Sequence, residues 1–287
     1  MASVWKSPEG SEIVRERYSK ALGHWPGEYR AFHVPTRYGE TFVIESGPAE
    51  APPLVLLHGT ASNSASWMVD VADWQQYFRI IAIDIIGDAG FSAEMRPPLE
   101  TDDHASWLDD VFAARSIRHP AIAGTSLGGW LALDYAVRRR GWVSQLVLFC
   151  PGGVGRNLNI LLWALPLLLL GSWGQRKLIE RIGGKRTGPL GAPQAAISGL
   201  LELTFAHFVP RRSNLPQITD EALRSLTMPV LAILGGKDVF IDSAETRARL
   251  EANVRNLTVR FLPDAPHFIA GQTEAVRQFL LGDRVDY

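Results

Sequence analysis

Cysteine is nearly absent from this chain. Cys150 is the one thiol in 287 residues, so no disulfide can close within it and no thiolate cluster can form. Cys150 ends the apolar run Leu146-Val147-Leu148-Phe149-Cys150, where a buried, inert thiol is expected. A membrane-length hydrophobic run is also missing. The most apolar stretch, Leu158 to Leu170, falls short of the roughly 20 residues that cross a bilayer, and Pro166 interrupts it. The first residues are polar and charged (Lys6, Glu9, Glu12, Arg15) and lack the apolar core of a signal peptide, so a cytoplasmic protein is the expectation. Charge of one sign is lacking too. Lys and Arg number 29 against 30 Asp and Glu, a net charge of −1, which gives no electrostatic reason to expect nucleic acid or an anionic membrane as partner. The seven histidines are scattered without H-x-x-x-H spacing, so no metal is expected.

What is present fits an ordinary globular enzyme. Hydrophobic residues make up 46% and charged ones 21%, enough to bury a sizeable core. Residues Ser7 to Leu22 read as an amphipathic helix with Pro8 in its first turn. Two extended segments, Arg30–Val34 and Thr41–Glu45, flank Tyr38-Gly39 as an antiparallel hairpin at a sheet edge. From Leu54 the pattern changes. Short apolar runs (Leu54–Leu57, Ile80–Ile83, Ala121–Ala123, Leu146–Phe149, Val230–Leu234, Leu257–Phe261) alternate with helical segments: Trp67–Phe78, His104–Arg115, Gly129–Arg138, Ala244–Ala252 and Glu274–Leu281. Apolar strands separated by helices predict an α/β fold with a mainly parallel sheet covered on both faces. Between Phe149 and Val230 no core strand is legible. A loop of that length is improbable in a compact domain, so residues 155–213 are expected to form a helical cap. The core is then 1–154 together with 214–287.

The chemistry centres on Gly124-Thr125-Ser126-Leu127-Gly128-Gly129, which follows the strand Ala121–Ala123 and opens a helix. A serine on a sharp strand-to-helix turn exposes its Oγ above the sheet, and the helix start offers free N–H groups to an oxyanion. The run also reads as G-x-x-x-G-G, and Ser126 explains it better than a dinucleotide site does. Ser126 needs a base. Among the histidines only His267 follows the last predicted strand, on the same sheet edge as Ser126. An acid must orient that imidazole. Asp238, directly after the strand Val230–Leu234, is the leading candidate, with Asp242 second and Asp264 three residues before the histidine. No Asp or Glu occurs between Gly141 and Ile179, which closes the preceding strand as a source. Two N–H groups should form the oxyanion hole: Leu127, and Thr60 in His58-Gly59-Thr60-Ala61, with Ala61 as the alternative. His58 reads as a residue that organises the loop.

Taken together these residues resemble the α/β-hydrolase superfamily from about Leu54 onward, in the chain order Ser…Asp…His. Asp84-Ile85-Ile86-Gly87-Asp88-Ala89-Gly90-Phe91-Ser92 is similar to the family's D-x-x-G-x-G-x-S segment, with one residue inserted. With Trp107-Leu108-Asp109-Asp110-Val111-Phe112 it resembles bacterial carboxylesterases that cleave bulky aryl-propionate esters. The resemblance implies hydrolysis of a small or medium hydrophobic ester through an acyl-serine intermediate, with no metal or organic cofactor. Serine at the elbow argues against the dehalogenases and epoxide hydrolases of this fold, which carry aspartate there. Lactonase, thioesterase, acyltransferase and C–C bond hydrolase chemistry use the same triad and stay open, as does a slow-turnover ligand receptor. The apolar segment Leu161, Leu162, Trp163, Leu165 and Leu167–Leu170 is expected to be a buried cap helix, with Trp163 and Leu167 as candidate pocket residues. A lipid interface or a second subunit, as in a homodimer, are the other surfaces that could cover it. Lys185-Arg186 and Arg211-Arg212 read as solvated charge.

Overall fold

The computed structural model describes residues 3–158, 164, 166–167, 169–184, 189–211 and 213–282. Helix α1 spans Pro8–Leu22. The Ser7 side chain caps it by accepting the Gly10 N–H at 3.1 Å, and Pro8 begins it without needing an N–H of its own. Strands β1 (Tyr29–Thr36) and β2 (Gly39–Ser46) form the expected antiparallel hairpin. The core strands follow as β3 (Pro53–Leu57), β4 (Arg79–Ile83), β5 (Ala121–Thr125), β6 (Gln145–Phe149), β7 (Val230–Gly235) and β8 (Leu257–Leu262).

These eight strands make one sheet in the order β1-β2-β4-β3-β5-β6-β7-β8. β2 pairs with β1 and β4 antiparallel, and every pairing from β4 to β8 is parallel. The apolar runs of β3 to β7 are buried because helices cover both faces, whereas β8 at the sheet edge is half-buried along its length. Two core clusters result, one on each side of the sheet. The strand order reverses direction at β3. The chain leaves β3 for β4 on one side, then crosses to β5 on the other, so a crevice opens above the adjacent carboxyl ends of β3 and β5.

The segment expected to be one helix over Trp67–Phe78 is a 3-10 turn, Ser64–Trp67, followed by α2 (Met68–Trp74). The turn starts early because Asn63 Oδ1 accepts the Ala65 N–H at 3.2 Å and Asp84 accepts the Ser64 N–H at 2.9 Å. Helices α3 (Asp103–Ala114) and α4 (Leu127–Arg138) come next in the chain. Within 155–213 the described residues include the helices α5 (Gly171–Gly183) and α6 (Ala192–His207). Helix α6 packs along α1, and the strand-like pairing of Trp5 with Phe208 joins the two segments further. The remaining helices are α7 (Asp220–Arg224), α8 (Ser243–Asn253) and α9 (Thr273–Leu281).

The buried-helix expectation for the Leu-rich segment needs correction at its end. Leu169 and Leu170 are 80% and 55% exposed, because the chain turns there before α5 and carries both out of the packed layer. Leu161, Leu162, Trp163, Leu165, Leu168, Lys185, Arg186 and Arg212 lie outside the described residues. Arg211 is half-buried rather than solvated, and its guanidinium donates to the Pro97 carbonyl at 3.0 Å. Among the described residues no helix is long and apolar enough to cross a membrane.

Candidate active site

Ser126 is the hinge residue between β5 and α4, with φ +54 and ψ −110. A non-glycine residue reaches that backbone region only under constraint, a pattern typical of functional turns. The constraint is visible. The Ser126 N–H donates to the Phe149 carbonyl at 2.9 Å, and the Ser126 carbonyl accepts the Trp130 and Gly152 N–H groups at 3.0 and 3.2 Å. The two motif glycines make the turn sterically feasible. A Cβ on Gly128 would lie 2.0 Å from the Leu57 carbonyl oxygen, and one on Gly124 would lie 2.3 Å from the Gly128 oxygen. Ser126 stays half-exposed, and among the described residues its Oγ makes no hydrogen bond.

The loops after β7 and β8 bring an acid to a histidine. His267 Nδ1 and Asp238 Oδ2 are 2.6 Å apart, in the range of a charge-assisted hydrogen bond, and both side chains are almost fully buried. The other Asp238 oxygen accepts the Phe240 and Ile241 N–H groups at 2.7 and 3.2 Å, which fixes the carboxylate. Because the carboxylate accepts at Nδ1, the Nε2 atom of neutral His267 is left as the basic nitrogen. Phe240 and Phe268 pack edge-on against the imidazole at 4.7 and 5.8 Å between centroids. The competing carboxylates are occupied elsewhere. Asp242 caps α8 through the Glu245 N–H and pairs with Arg156 at 2.7 Å, while exposed Asp264 pairs with Lys237 at 2.6 Å.

The β3 loop stands directly beside the elbow. A Cβ built on Gly59 would lie 3.6 Å from Ser126 Cβ. Among the described residues the backbone N–H groups of Thr60 and Leu127 donate no hydrogen bond, whereas the Ala61 N–H is consumed by Asp88 Oδ1 at 2.7 Å. His58 uses both ring nitrogens. Nε2 accepts the Ile85 N–H at 2.9 Å, so Nδ1 carries the proton and donates to the Gly59 carbonyl at 2.8 Å.

Two neighbours of this group were not legible in the chain. Cys150 takes φ +42 at the end of β6, and its sulfur lies within 4.8 Å of the Asp238 and His267 donor atoms. Burial, then the Asp238 charge, push its thiol well above the usual range, so it stays protonated. Cys, Asp and His together suggest a metal site. However, two ligands each about 2.0–2.2 Å from an ion cannot usually stand 2.6 Å from one another, as Asp238 and His267 do. The second neighbour is a small, open cleft between Ala61, Ser62, Asn63, Ala65 and Ser66 on one side and Ile197, Leu200, Leu201 and Thr204 of α6 on the other. The i, i+3, i+4, i+7 spacing of those four residues was the available signal. Leu167 is half-buried and does not line this cleft.

Residues 54–279 match the model of the alpha/beta hydrolase family. The chain belongs to that family. Among its relatives are two proteins of Bacillus subtilis (strain 168), each 30% identical to it. One is the uncharacterized carboxylesterase nap, over 89% of this chain and 86% of the relative. The other is carboxylesterase YbfK, over 93% and 91%. The crystal structure of naproxen esterase (carboxylesterase NP) from Bacillus subtilis superimposes with a TM-score of 0.82 at 27% identity, covering 96% of this chain and 99% of that one. In this alpha/beta hydrolase Ser126, Asp238 and His267 follow β5, β7 and β8.

Proposed function

We propose that this alpha/beta hydrolase cleaves carboxylic esters of small or medium apolar substrates, with Ser126 as nucleophile, His267 as general base and Asp238 as the acid that orients it. The observation that carries the reading is the buried 2.6 Å Asp238–His267 pair on the loops after β7 and β8, together with a serine held at φ +54 at the end of β5 on the same sheet. Ser126 Oγ attacks the ester carbonyl while His267 Nε2 takes its proton. The negative charge that gathers on the carbonyl oxygen is received by the Thr60 and Leu127 N–H groups, which have no competing acceptor among the described residues. Collapse expels the alcohol, which recovers the proton from His267. Water then repeats the sequence on the acyl-serine, releases the acid and restores the Ser126 hydroxyl. No step calls for a metal or an organic cofactor.

An apolar substrate is supported by the α6 face of the cleft, whose Ile197, Leu200 and Leu201 present only hydrocarbon. The carboxylesterase names of the relatives, at 30% identity over most of both chains, point to the same bond. Residues 155–213 act in this reading as a helical cap over the carboxyl edge of the sheet, with 1–154 and 214–287 as the core.

The test is labelling by a fluorophosphonate, with mass mapping of the modified residue, alongside turnover of p-nitrophenyl esters from acetate to octanoate. The expected result is modification of Ser126, turnover of the short and medium esters, and loss of both in Ser126→Ala with an unchanged melting temperature. Labelling elsewhere, or esterase turnover that survives Ser126→Ala, would overturn the reading.

A further inference from the structure

Ala61 adopts φ +57, the left-handed region that an L side chain avoids. It is also buried, at 4% exposure. Something must therefore hold it, and the hydrogen bonds identify the holder. The Ala61 N–H donates to Asp88 Oδ1 at 2.7 Å, and the Ala89 N–H donates to the same oxygen at 2.9 Å. Asp88 is buried at the turn after β4, at the position where the chain carries one residue more than the common D-x-x-G-x-G-x-S pattern.

Two peptide planes meet at the Thr60 Cα. The Gly59–Thr60 plane is gripped at its carbonyl by His58 Nδ1, and His58 in turn is anchored by the Ile85 N–H. In a trans peptide the C=O and N–H point in opposite directions. A grip on the Gly59 oxygen therefore aims the Thr60 N–H away from His58. The Thr60–Ala61 plane is gripped at its N–H by Asp88. Asn63 and Ser64 extend the same bracing, donating to the Ala89 carbonyl and to Asp84 Oδ1 at 2.9 Å and 2.7 Å. The loop after β4 thus holds the loop after β3 at four points, and only Asp88 acts on the residue next to Thr60.

We propose that Asp88 is a positioning residue for the oxyanion hole: by accepting the Ala61 N–H it locks the Thr60–Ala61 peptide, so that the Thr60 N–H stays turned toward the reacting carbonyl. The inference rests on the reading of Thr60 as an oxyanion donor. Asp88 does not touch the substrate. Without its carboxylate oxygen, Ala61 is free to relax to negative φ and the Thr60–Ala61 plane turns with it, which leaves the Gly59–Thr60 plane, and with it the Thr60 N–H, held by His58 alone.

The experiment compares Asp88→Ala with Asp88→Asn, which keeps an acceptor oxygen of the same reach. The readouts are kcat and KM for p-nitrophenyl butyrate, and affinity for a trifluoromethyl ketone, whose serine adduct carries an oxyanion. Removing one oxyanion donor outright costs about 10²–10³-fold in kcat. A donor misaimed by Asp88→Ala should lose about 10–100-fold in kcat with KM within about twofold, and the ketone should weaken by a similar factor. Asp88→Asn should recover kcat to within about threefold of wild type. A merely structural residue would lower the melting point without weakening the ketone selectively. If Asp88→Ala does not fold, Asp88→Ser is read in the same way, because its hydroxyl is too short to meet the Ala61 N–H. Wild-type kcat in the folded Ala or Ser variant, or an Asn variant as impaired as the Ala variant, overturns the proposal. Failure of the parent esterase reading is seen separately, as absence of Ser126 labelling in the wild-type protein.

Discussion

Substituting Gly128 by alanine sets local propensity against tertiary packing. Gly128 lies in the first turn of α4, where alanine should favour the helix by about 1 kcal/mol. The structure predicts the opposite sign for the whole protein. The added Cβ would stand 2.0 Å from the Leu57 oxygen, 2.5 Å from its carbon and 2.6 Å from the His58 oxygen. Ordinary contact begins at 3.4 Å, so α4 and the end of β3 must part by 3.4 − 2.0 = 1.4 Å. All three obstructing atoms are backbone, so no side-chain rotation relieves the clash. Overpacking of this kind costs about 1–3 kcal/mol or more. The same displacement separates the Leu127 N–H on α4 from the Thr60 N–H on the β3 loop. A misplacement of about 1 Å at a reacting centre can cost on the order of 10²-fold in rate. Gly128→Ala should therefore lose about 100-fold or more in kcat for p-nitrophenyl butyrate, and melt several degrees lower. Gly129→Ala is the control, since its Cβ meets nothing nearer than the Pro151 carbons at 3.1 Å and the Gly124 oxygen at 3.2 Å. It should keep most of its activity. A Gly128→Ala protein with wild-type kcat and melting point, or a control equally impaired, would refute the reasoning.

Asp238→Asn should keep the fold yet drop kcat by about 10³–10⁴-fold, because an amide no longer enforces the His267 tautomer with a free Nε2; steady-state kinetics on a folded variant checks this. Burial pushes the Asp70 carboxyl up from 3.8 to about 6, opposed by the Thr273 hydroxyl that donates to it. Its native pKa is raised, so ionising it penalises folding as pH climbs from about 4 to 6, by about 3 kcal/mol at most at 1.36 kcal/mol per pH unit. Because Asp70 is half-buried, a penalty nearer 1–2 kcal/mol is the working figure, and Asp70→Asn should raise stability in urea at pH 8 but not at pH 4. His104 is held neutral: burial, then the Arg211 charge, lower its imidazole from 6.5 to about 4. The unfolded chain binds the proton first, so the stability it contributes is complete above pH 6.5 and drains away toward pH 4, by about 3 kcal/mol. His104→Gln should flatten that part of the stability–pH curve, and an unchanged slope between pH 6.5 and 4 would contradict the assignment.

Much of this was legible in the chain because it is encoded locally. The strands β3 to β7 are built on apolar runs, and burial on both faces leaves no other pattern open to them, whereas β8 at the sheet edge is half-buried throughout. The elbow is legible because Gly124 and Gly128 occupy positions where the neighbouring backbone leaves no room for a Cβ, a constraint that fixes residue type. His267 and Asp238 are legible by chain position alone, since residues after parallel strands must emerge at one edge of the sheet. What the sequence did not reveal depends on distances between segments far apart in the chain. Asp238 led Asp242 and Asp264 by its place directly after a strand, and only the structure shows the latter two capping α8 and pairing with Lys237. The bond from Asp88 to Ala61, 27 residues away, and the Cys150 sulfur behind the Asp238–His267 pair have no periodic signature. The cleft needs α6 packed over the β3 loop, more than 130 residues earlier in the chain. Short-range steric and hydrophobic rules therefore determined the scaffold and the candidate residues on it, whereas packing between remote loops decided which N–H groups stay free and what lines the cleft.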